Sequence, residues 1–203
     1  MYLFKTPRFL KWVYPERTWS FSVKEPFVYL TFDDGPIPEV TPKILDFLKE
    51  KQAKATFFCV GENVLRYPEI FERIKREGHV IGNHTHFHSH AFKTTKENYS
   101  RSLKLGNQAT SSTLFRPPYG RLWPKMGKEI AKTNKIIMWT FLTYDWYHAV
   151  SLKTIEKKIN QIKAGDIIVL HDNLKSAHRV LPILEMLFRE MKQKQLTAKG
   201  IEA

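Results

Sequence analysis

Residues 31–36 read TFDDGP, so Asp33 and Asp34 stand side by side where a run of apolar and β-branched residues ends. Two like charges in contact repel, and more so when buried, unless a positive group lies nearby. Farther along, His84, His86, His88 and His90 fall within seven residues. A single loop histidine is ordinary; four this close, in a chain with a paired carboxylate, point to a metal site. A divalent cation would also be the positive partner that lets both aspartates ionise. On an extended chain all four imidazoles face one side, whereas in a helical turn His84 and His88 share a face at i, i+4. One aspartate with two histidines leaves coordination positions open. That suits catalytic Zn²⁺ and equally non-haem Fe(II), so the ligand set does not name the metal. A bound cation lowers the pKa of its water to about 7. The aspartate that is not a ligand can take the water's proton, and a distant histidine can protonate a leaving group. The chemistry outlined is metal-assisted hydrolysis of an acyl bond.

The elements that must position these groups alternate strand and helix. Strands are expected at FVYLTF (27–32), KATFFCV (54–60), HVIGNH (79–84), STLFRPP (112–118), KIIMWTF (135–141) and DIIVLH (166–171). Helices are expected between them: VTPKILDFLKEK capped by Thr41 with Pro42 in the first helical position, PEIFERIKREG ending at Gly78, and TTKENYSRSLKLG with a Thr94–Glu97 capping box. KMGKEIAKT, SLKTIEKKINQIKAG capped by Ser151, and a last helix around Pro182 complete the set. Six apolar strands alternating with helices imply parallel βαβ units, as an open doubly wound sheet or a barrel. In either, the active site lies at the C-terminal ends of the strands. Asp33 and Asp34, His84, Arg116, Asp145 with Trp146, and His171 with Asp172 all fall just past expected strand ends. Caps and turns also favour Asp and Asn, which does not account for the histidines or Arg116.

The chain has 203 residues, enough for one ordinary domain over 1–203, with a motif core at 27–172 and residues 1–26 as an extension packed on or beside it. Cys59 is the only cysteine, which excludes an internal disulfide and a multi-thiolate zinc site and reads as a small buried hydrophobe. The formal charge of +13 grows towards the C-terminus without forming a block. It reads first as a solvated basic surface, with attraction to a cell-wall polymer, lipid surface or nucleic acid as the sharper alternative. No basic stripe is evident, so no nucleic-acid partner is expected. No apolar stretch is long enough to span a bilayer. The start, MYLFKTPRFLKWVY, lacks the apolar centre and small-residue cleavage site of a signal peptide. It could lie on a membrane surface or pack on the domain. The compartment stays open: with no signal peptide or spanning segment visible, the readings are a cytoplasmic protein or one peripherally associated with the membrane or cell envelope.

The motifs TFDDGP, HTHFH, RPPYG, YDW and VLHD occur in this order. In this the chain resembles the polysaccharide deacetylases, the NodB-homology domains of carbohydrate esterase family four, over most of its length. The resemblance implies a distorted, incomplete (β/α) barrel and a metal-dependent hydrolase that removes acetyl groups from a carbohydrate polymer or oligomer, such as peptidoglycan or chitin oligosaccharide. It implies Asp33 as general base; Asp34, His84 and His88 as ligands of one divalent ion, zinc first, with Co, Ni, Fe or Mn as alternatives; and His171 as general acid. Arg116 would hold Asp33, and the backbone N–H of Tyr119 would face the developing oxyanion. His86 and His90 receive no role and are taken as loop histidines. The fourth motif often reads Asp-x-x-Asp-Trp, but here the first position is Leu142, leaving Asp145 as the partner that raises the pKa of His171. Tyr119, Trp146 and Pro117 are the expected substrate contacts, while Trp123 is expected in packing. The rival readings are an amidohydrolase of small molecules and a non-catalytic carbohydrate binder. The glycan, the metal and the oligomeric state stay open.

Overall fold

Apolar residues in strand β2 (Phe27–Asp33) alternate between two destinations. Val28, Leu30 and Phe32 join a cluster with Phe57 and with Ile168 and Leu170, covered by helices; Tyr29 packs on the other side of the sheet with Phe58, Leu114, Ile137 and Ile167. Both faces of β2 are therefore covered, as in a parallel sheet flanked by helices. The computed structural model describes residues 2–202. Within them the elements run α1 (Leu10–Val13), β1 (Arg17–Thr18), β2, α2 (Thr41–Glu50), β3 (Thr56–Cys59), α3 (Gly61–Arg66), α4 (Pro68–Arg76) and β4 (Val80–Asn83). They continue as α5 (Lys96–Thr110), β5 (Leu114–Phe115), α6 (Pro124–Ile130), β6 (Lys135–Ile137), β7 (Phe141–Leu142), α7 (Leu152–Ile159), β8 (Ile167–His171), α8 (Val180–Gln193) and β9 (Thr197–Ala198). The sheet order is β1-β6-β5-β4-β3-β2-β8-β7, with β9 beside the start of β2, and every ladder is parallel. This is the expected distorted, incomplete (β/α) barrel.

The outer face of β2, β3 and β8 is sealed by α2 through Ile44, Leu45 and Leu48 and by α8 through Ile183, Leu184 and Leu187. Each such side chain contributes about 1.5–3 kcal/mol on burial. Pro182 sits in the first turn of α8, where it removes no helical hydrogen bond.

Several local expectations are corrected. KIIMWTF is not one strand: it splits into β6, beside the edge strand β1, and β7, which forms the opposite edge of the sheet. Met138–Thr140 cross between these strands, with Met138 N donating to Thr18 O (2.8 Å) and Thr140 N to Ile167 O (3.0 Å). Four residue steps span at most about 14 Å, so these two ends of the curled sheet lie near each other, bridged by this strap without a ladder. Thr41 is the first helical residue of α2 rather than its cap, because its hydroxyl accepts from Ile37 N (2.8 Å) and donates to Asp172 Oδ2 (2.7 Å). Thr95, not Thr94, caps α5, accepting from Asn98 N. Strands β1 and β9 and helices α1 and α3 were not expected; two-residue strands and single turns carry too little periodicity to read. Residues 2–6 run along the β7 edge, with Leu142 N donating to Phe4 O (2.9 Å) and Phe4 buried against Phe141.

Helix α5 approaches β4 closely at Gly106, where an added methyl would overlap Asn83 Oδ1 and lie 2.9 Å from the Thr85 carbonyl carbon. Helix propensity alone favours Ala over Gly by about 1 kcal/mol. Overpacking against an immobile backbone costs about 1–3 kcal/mol. Gly106→Ala is therefore expected to lower, not raise, the thermal midpoint, as a calorimetric comparison with the wild type would read directly.

Candidate active site

The strands deliver their chemistry at one end of the barrel. Asp33 and His171 are register partners on the adjacent strands β2 and β8. Asn83 and Phe115 are register partners on β4 and β5, so the residues that follow them, His84 and Arg116, emerge together. These groups open onto a cavity of about 580 Å³, lined by Asp33, Asp34, His84, His88 and His171 among others.

Arg116 is fully buried. Its Nη1 donates to Asp33 Oδ1 (2.7 Å) and Thr31 Oγ1 (2.7 Å), Nε to Ile137 O (3.2 Å), and Nη2 to Met138 O (3.1 Å). The guanidinium also lies 4.1 Å from the centre of the Phe58 ring. Burial lowers the Arg116 pKa, and the charge and hydrogen bond of Asp33 oppose that. Thr31 and Asp33 share the inner face of β2 because they are two residues apart.

Asp34 follows in a left-handed conformation (φ 87°) that turns its carboxylate towards the histidines. Its carbonyl accepts from Asn63 Nδ2 (2.8 Å), and its Oδ2 accepts from Asn173 Nδ2 (2.6 Å). Its Oδ1 is buried 3.0 Å from His88 Nε2 and 3.5 Å from His84 Nε2, but makes no hydrogen bond. The loop is tied down by Asp172, which accepts from Gly35 N (2.8 Å) and Thr41 Oγ1. A Cβ at residue 35 would overlap the Asp172 carboxylate, so only glycine fits. Burial pushes the Asp172 carboxyl up to about 7; the Thr41 bond works against this and the Asp34 charge with it.

The histidine segment is neither extended nor helical. Positive φ at Thr85 (61°) and His88 (49°) coils it into a turn, pinned where Ser102 Oγ accepts from His86 N and Phe87 N. The turn brings the His84 and His88 rings to 5.1 Å between centres. His84 Nδ1 donates to Arg116 O (2.8 Å), which leaves Nε2 as the lone-pair nitrogen towards Asp34. Burial drives the His84 pKa down to about 4, with Asp33 opposing, so the ring is neutral, as a ligand must be. For Asp34 burial acts upward, but the close approach of His88 and the nearby imidazoles of His171 and His84 outweigh it and hold the carboxyl below its usual range. One ligand atom from each of Asp34, His84 and His88 lies within 4.8 Å of the others. An orphaned buried carboxylate oxygen facing two imidazole nitrogens fits a divalent cation.

On the other side, His171 Nδ1 donates to Asp145 Oδ1 (2.8 Å), and His171 N donates to Asp145 Oδ2 (2.6 Å). Asp145 is buried and also accepts from Thr143 Oγ1 (3.1 Å). Burial lowers the His171 pKa, but the charge and bond of Asp145, joined by Asp34 and Asp33, overcome it and raise the value to about 9. Asp145 is thus the partner of His171, and Leu142 lines the cavity as an apolar wall. Trp146 packs edge-on to His171 at 4.5 Å.

Tyr119 lines the cavity with its side chain 59% exposed, in a left-handed conformation (φ 58°) that is strained for a non-glycine residue. His90 stacks on it at 4.9 Å, and His88 at 4.7 Å. His86 turns away from the triad and packs against Gly61. Pro117, expected against substrate, is instead buried beneath the rim, its carbonyl accepting from Gly120 N (3.0 Å). Trp123 packs on Tyr99 and Phe92, as expected. Sequence reasoning missed Asn173, Thr31, Asn63 and Trp139, which also lines the cavity, and gave Asp172 no role. Asn173 was detectable from its place two residues past β8, and Thr31 from its spacing to Asp33. Asn63 and Trp139 carried no signal, because α3 and the strap were not foreseen.

The sequence profile described as polysaccharide deacetylase matches residues 22–137. A peptidoglycan-N-acetylglucosamine deacetylase of Bacillus cereus is 32% identical over 184 residues, covering 87% of this chain and 86% of that protein. A second B. cereus protein of the same name is 40% identical over 154 residues; the match covers 71% of this chain and 55% of that relative's length. A chitooligosaccharide deacetylase of Azorhizobium caulinodans is 32% identical, covering 71% and 73%. The crystal structure of the Bc1960 peptidoglycan N-acetylglucosamine deacetylase superimposes with a TM-score of 0.85 at 32% identity over 97% of this chain and 95% of that one. Sharing the profile over more than half its length, and its shape over nearly all of it, the chain belongs to the polysaccharide deacetylases of carbohydrate esterase family four.

Proposed function

We propose that the chain is a metal-dependent hydrolase that removes acetyl groups from amino-sugar residues of a glycan, with peptidoglycan or chitin-type oligosaccharide as the substrate class. The observation that carries this reading is the convergence, in one cavity, of the Asp34–His84–His88 cluster with Asp33 on one side and the His171–Asp145 pair on the other. The names of the B. cereus and A. caulinodans relatives support the substrate class.

Asp34, His84 and His88 would hold one divalent ion. Zinc is the first expectation, from two neutral imidazoles and a carboxylate, with Co, Ni, Fe or Mn as alternatives. When bound, the ion supplies Lewis acidity that polarises an acyl carbonyl and acidifies a water. Asp33, held in place by Arg116, accepts the proton of the attacking water. The Tyr119 N–H faces the oxyanion as the carbonyl carbon becomes tetrahedral. His171 carries a proton on Nε2 and gives it to the departing amine. Leu142 and Trp146 form the apolar wall against which the acetyl methyl rests, and Tyr119 offers a face to the sugar.

Acetate release from N-acetylated glycan oligomers, set against small aliphatic amides, tests the substrate class; turnover of the amides alone would reject it. Asp33→Asn is expected to lower kcat by about 10²–10⁴ while leaving metal affinity in place. Asn173→Ala removes the donor that orients Asp34 and is expected to weaken metal binding about 10–100-fold in a chelator competition without substrate. Turnover requires His171 protonated, so activity falls as pH rises through its pKa. The cation lowers that value, which places the alkaline limb at or below about pH 9. Asp145→Asn removes the charge that raises it, and the limb of kcat/KM should move to lower pH. An unmoved limb would show that another group sets it. Because the folded pKa lies above the ordinary 6.5, the His171–Asp145 pair stabilises the fold fully below that pH and loses its contribution as pH climbs through the raised value.

A further inference from the structure

The opposite end of the barrel has a composition of its own. Strand β8 reaches the cavity at His171 and begins just after Asp166. Five residues of strand place the Lys163–Asp166 turn about 17 Å from the catalytic end. The N-terminal segment covers this end: Phe21 N donates to Gly165 O (2.9 Å), and Ser20 bridges to Asp166. A cavity of about 430 Å³ between them is lined by Lys5, Arg8, Lys11, Lys163, Asp166 and Val23 among others. Lys5 pairs with Asp166, and Lys11 donates to Ser20 Oγ. Asp166 is the only carboxylate among the described lining residues, so one of four cations is neutralised and three are not. Burial lowers the Lys11 pKa, and Arg8 and Lys163 push it the same way against the pull of Asp166.

Beside these cations, α1 buries none of its residues. Trp12 is 84% exposed, and Phe9 and Val13 are each 55% exposed. The chain buries Phe4 and Trp19 on either side of this turn. Apolar and cationic residues alternate along the same stretch, Arg8-Phe9 and then Lys11-Trp12-Val13. Aromatic residues settle at the boundary between lipid tails and headgroups, and cations are drawn to anionic headgroups.

We propose that this end of the barrel docks on an anionic lipid surface, with Phe9, Trp12 and Val13 entering the boundary layer and Arg8, Lys11 and Lys163 meeting the phosphates. A second copy of the chain is the weaker occupant, since pairing like faces brings like charges together. A soluble polyanion would use the cations and leave Trp12 in water. Docked this way, the catalytic cavity faces away from the lipid, towards a polymer beyond it. That consequence rests on the proposed glycan substrate, whereas the docking does not.

The test uses the whole chain in co-sedimentation with phosphatidylcholine vesicles, either alone or with about one-third phosphatidylglycerol. Binding is expected to the anionic vesicles only, and to weaken as salt rises from about 0.1 to about 0.5 M. The double variant Phe9→Ser/Trp12→Ser should bind at least about tenfold more weakly, with thermal midpoint and acetate release from soluble oligosaccharide unchanged. Arg8→Gln/Lys163→Gln should also lose affinity. The proposal is overturned by no sedimentation at about millimolar anionic lipid, or by binding that survives Phe9→Ser/Trp12→Ser and is displaced by polyphosphate. A dimer in sedimentation velocity that the same variant abolishes, with no vesicle binding, also overturns it. Vesicle binding requires no turnover, so a failure here is distinguishable from a failure of the deacetylase reading.

Discussion

Burying a guanidinium costs several kcal/mol even after the surroundings relax, and Arg116 lies wholly inside the barrel. One carboxylate answers its charge, and a hydroxyl and two main-chain carbonyls take its other donors. Those acceptors belong to β2, to the end of β6 and to the strap that follows it, so one side chain from the end of β5 ties three parts of the barrel together. Removing Asp33 would leave the Arg116 charge unanswered inside the barrel, a change on the order of 3–5 kcal/mol. Stability and function therefore make the same demand on this pair: the contact that makes the buried cation tolerable also fixes a carboxylate beside the ligand cluster.

The site gathers four carboxylates, and each has its own means of being accommodated. Asp33 has Arg116. Asp34 has two imidazoles and the Asn173 amide, with one oxygen left for an ion. Asp145 has His171 and a threonine hydroxyl. Asp172 has Thr41 and the Gly35 amide, and the burial that raises its pKa leaves it the least acidic of those whose values are shifted. Neighbouring carboxylates with environments this different can serve as proton acceptor, ligand, orienting partner and loop clamp without exchanging roles.

Much of this was legible in the amino-acid order because strand ends are where a parallel barrel places its chemistry. Asp33, His84, Arg116 and His171 each follow an apolar run long enough to read, and the motifs around them are specific. What stayed hidden depended on irregular backbone. The left-handed residues Thr85 and His88 make a turn that neither a strand nor a helix template describes. Residues 138–140 look like the middle of a strand because Met, Trp and Thr all suit one, yet their hydrogen bonds go to two different strands. Asn173 was passed over because an amide carries no charge to draw attention, although it makes a 2.6 Å bond to a ligand oxygen. The swap of Thr41 from cap to first helical residue followed from a tertiary partner, Asp172, that no local window contains.

The pairing of Asp33 with His171 across β2 and β8 separates two kinds of order. The groups proposed to accept and donate protons stand on a main-chain ladder in the middle of the sheet. Two of the three candidate ligand atoms come from a single coiled turn, held by Ser102, by the Thr85 hydroxyl and by main-chain bonds from Gly61 and Glu62. The Asp33–His171 pair is therefore fixed by the ladder itself, apart from the loop that carries the two imidazoles.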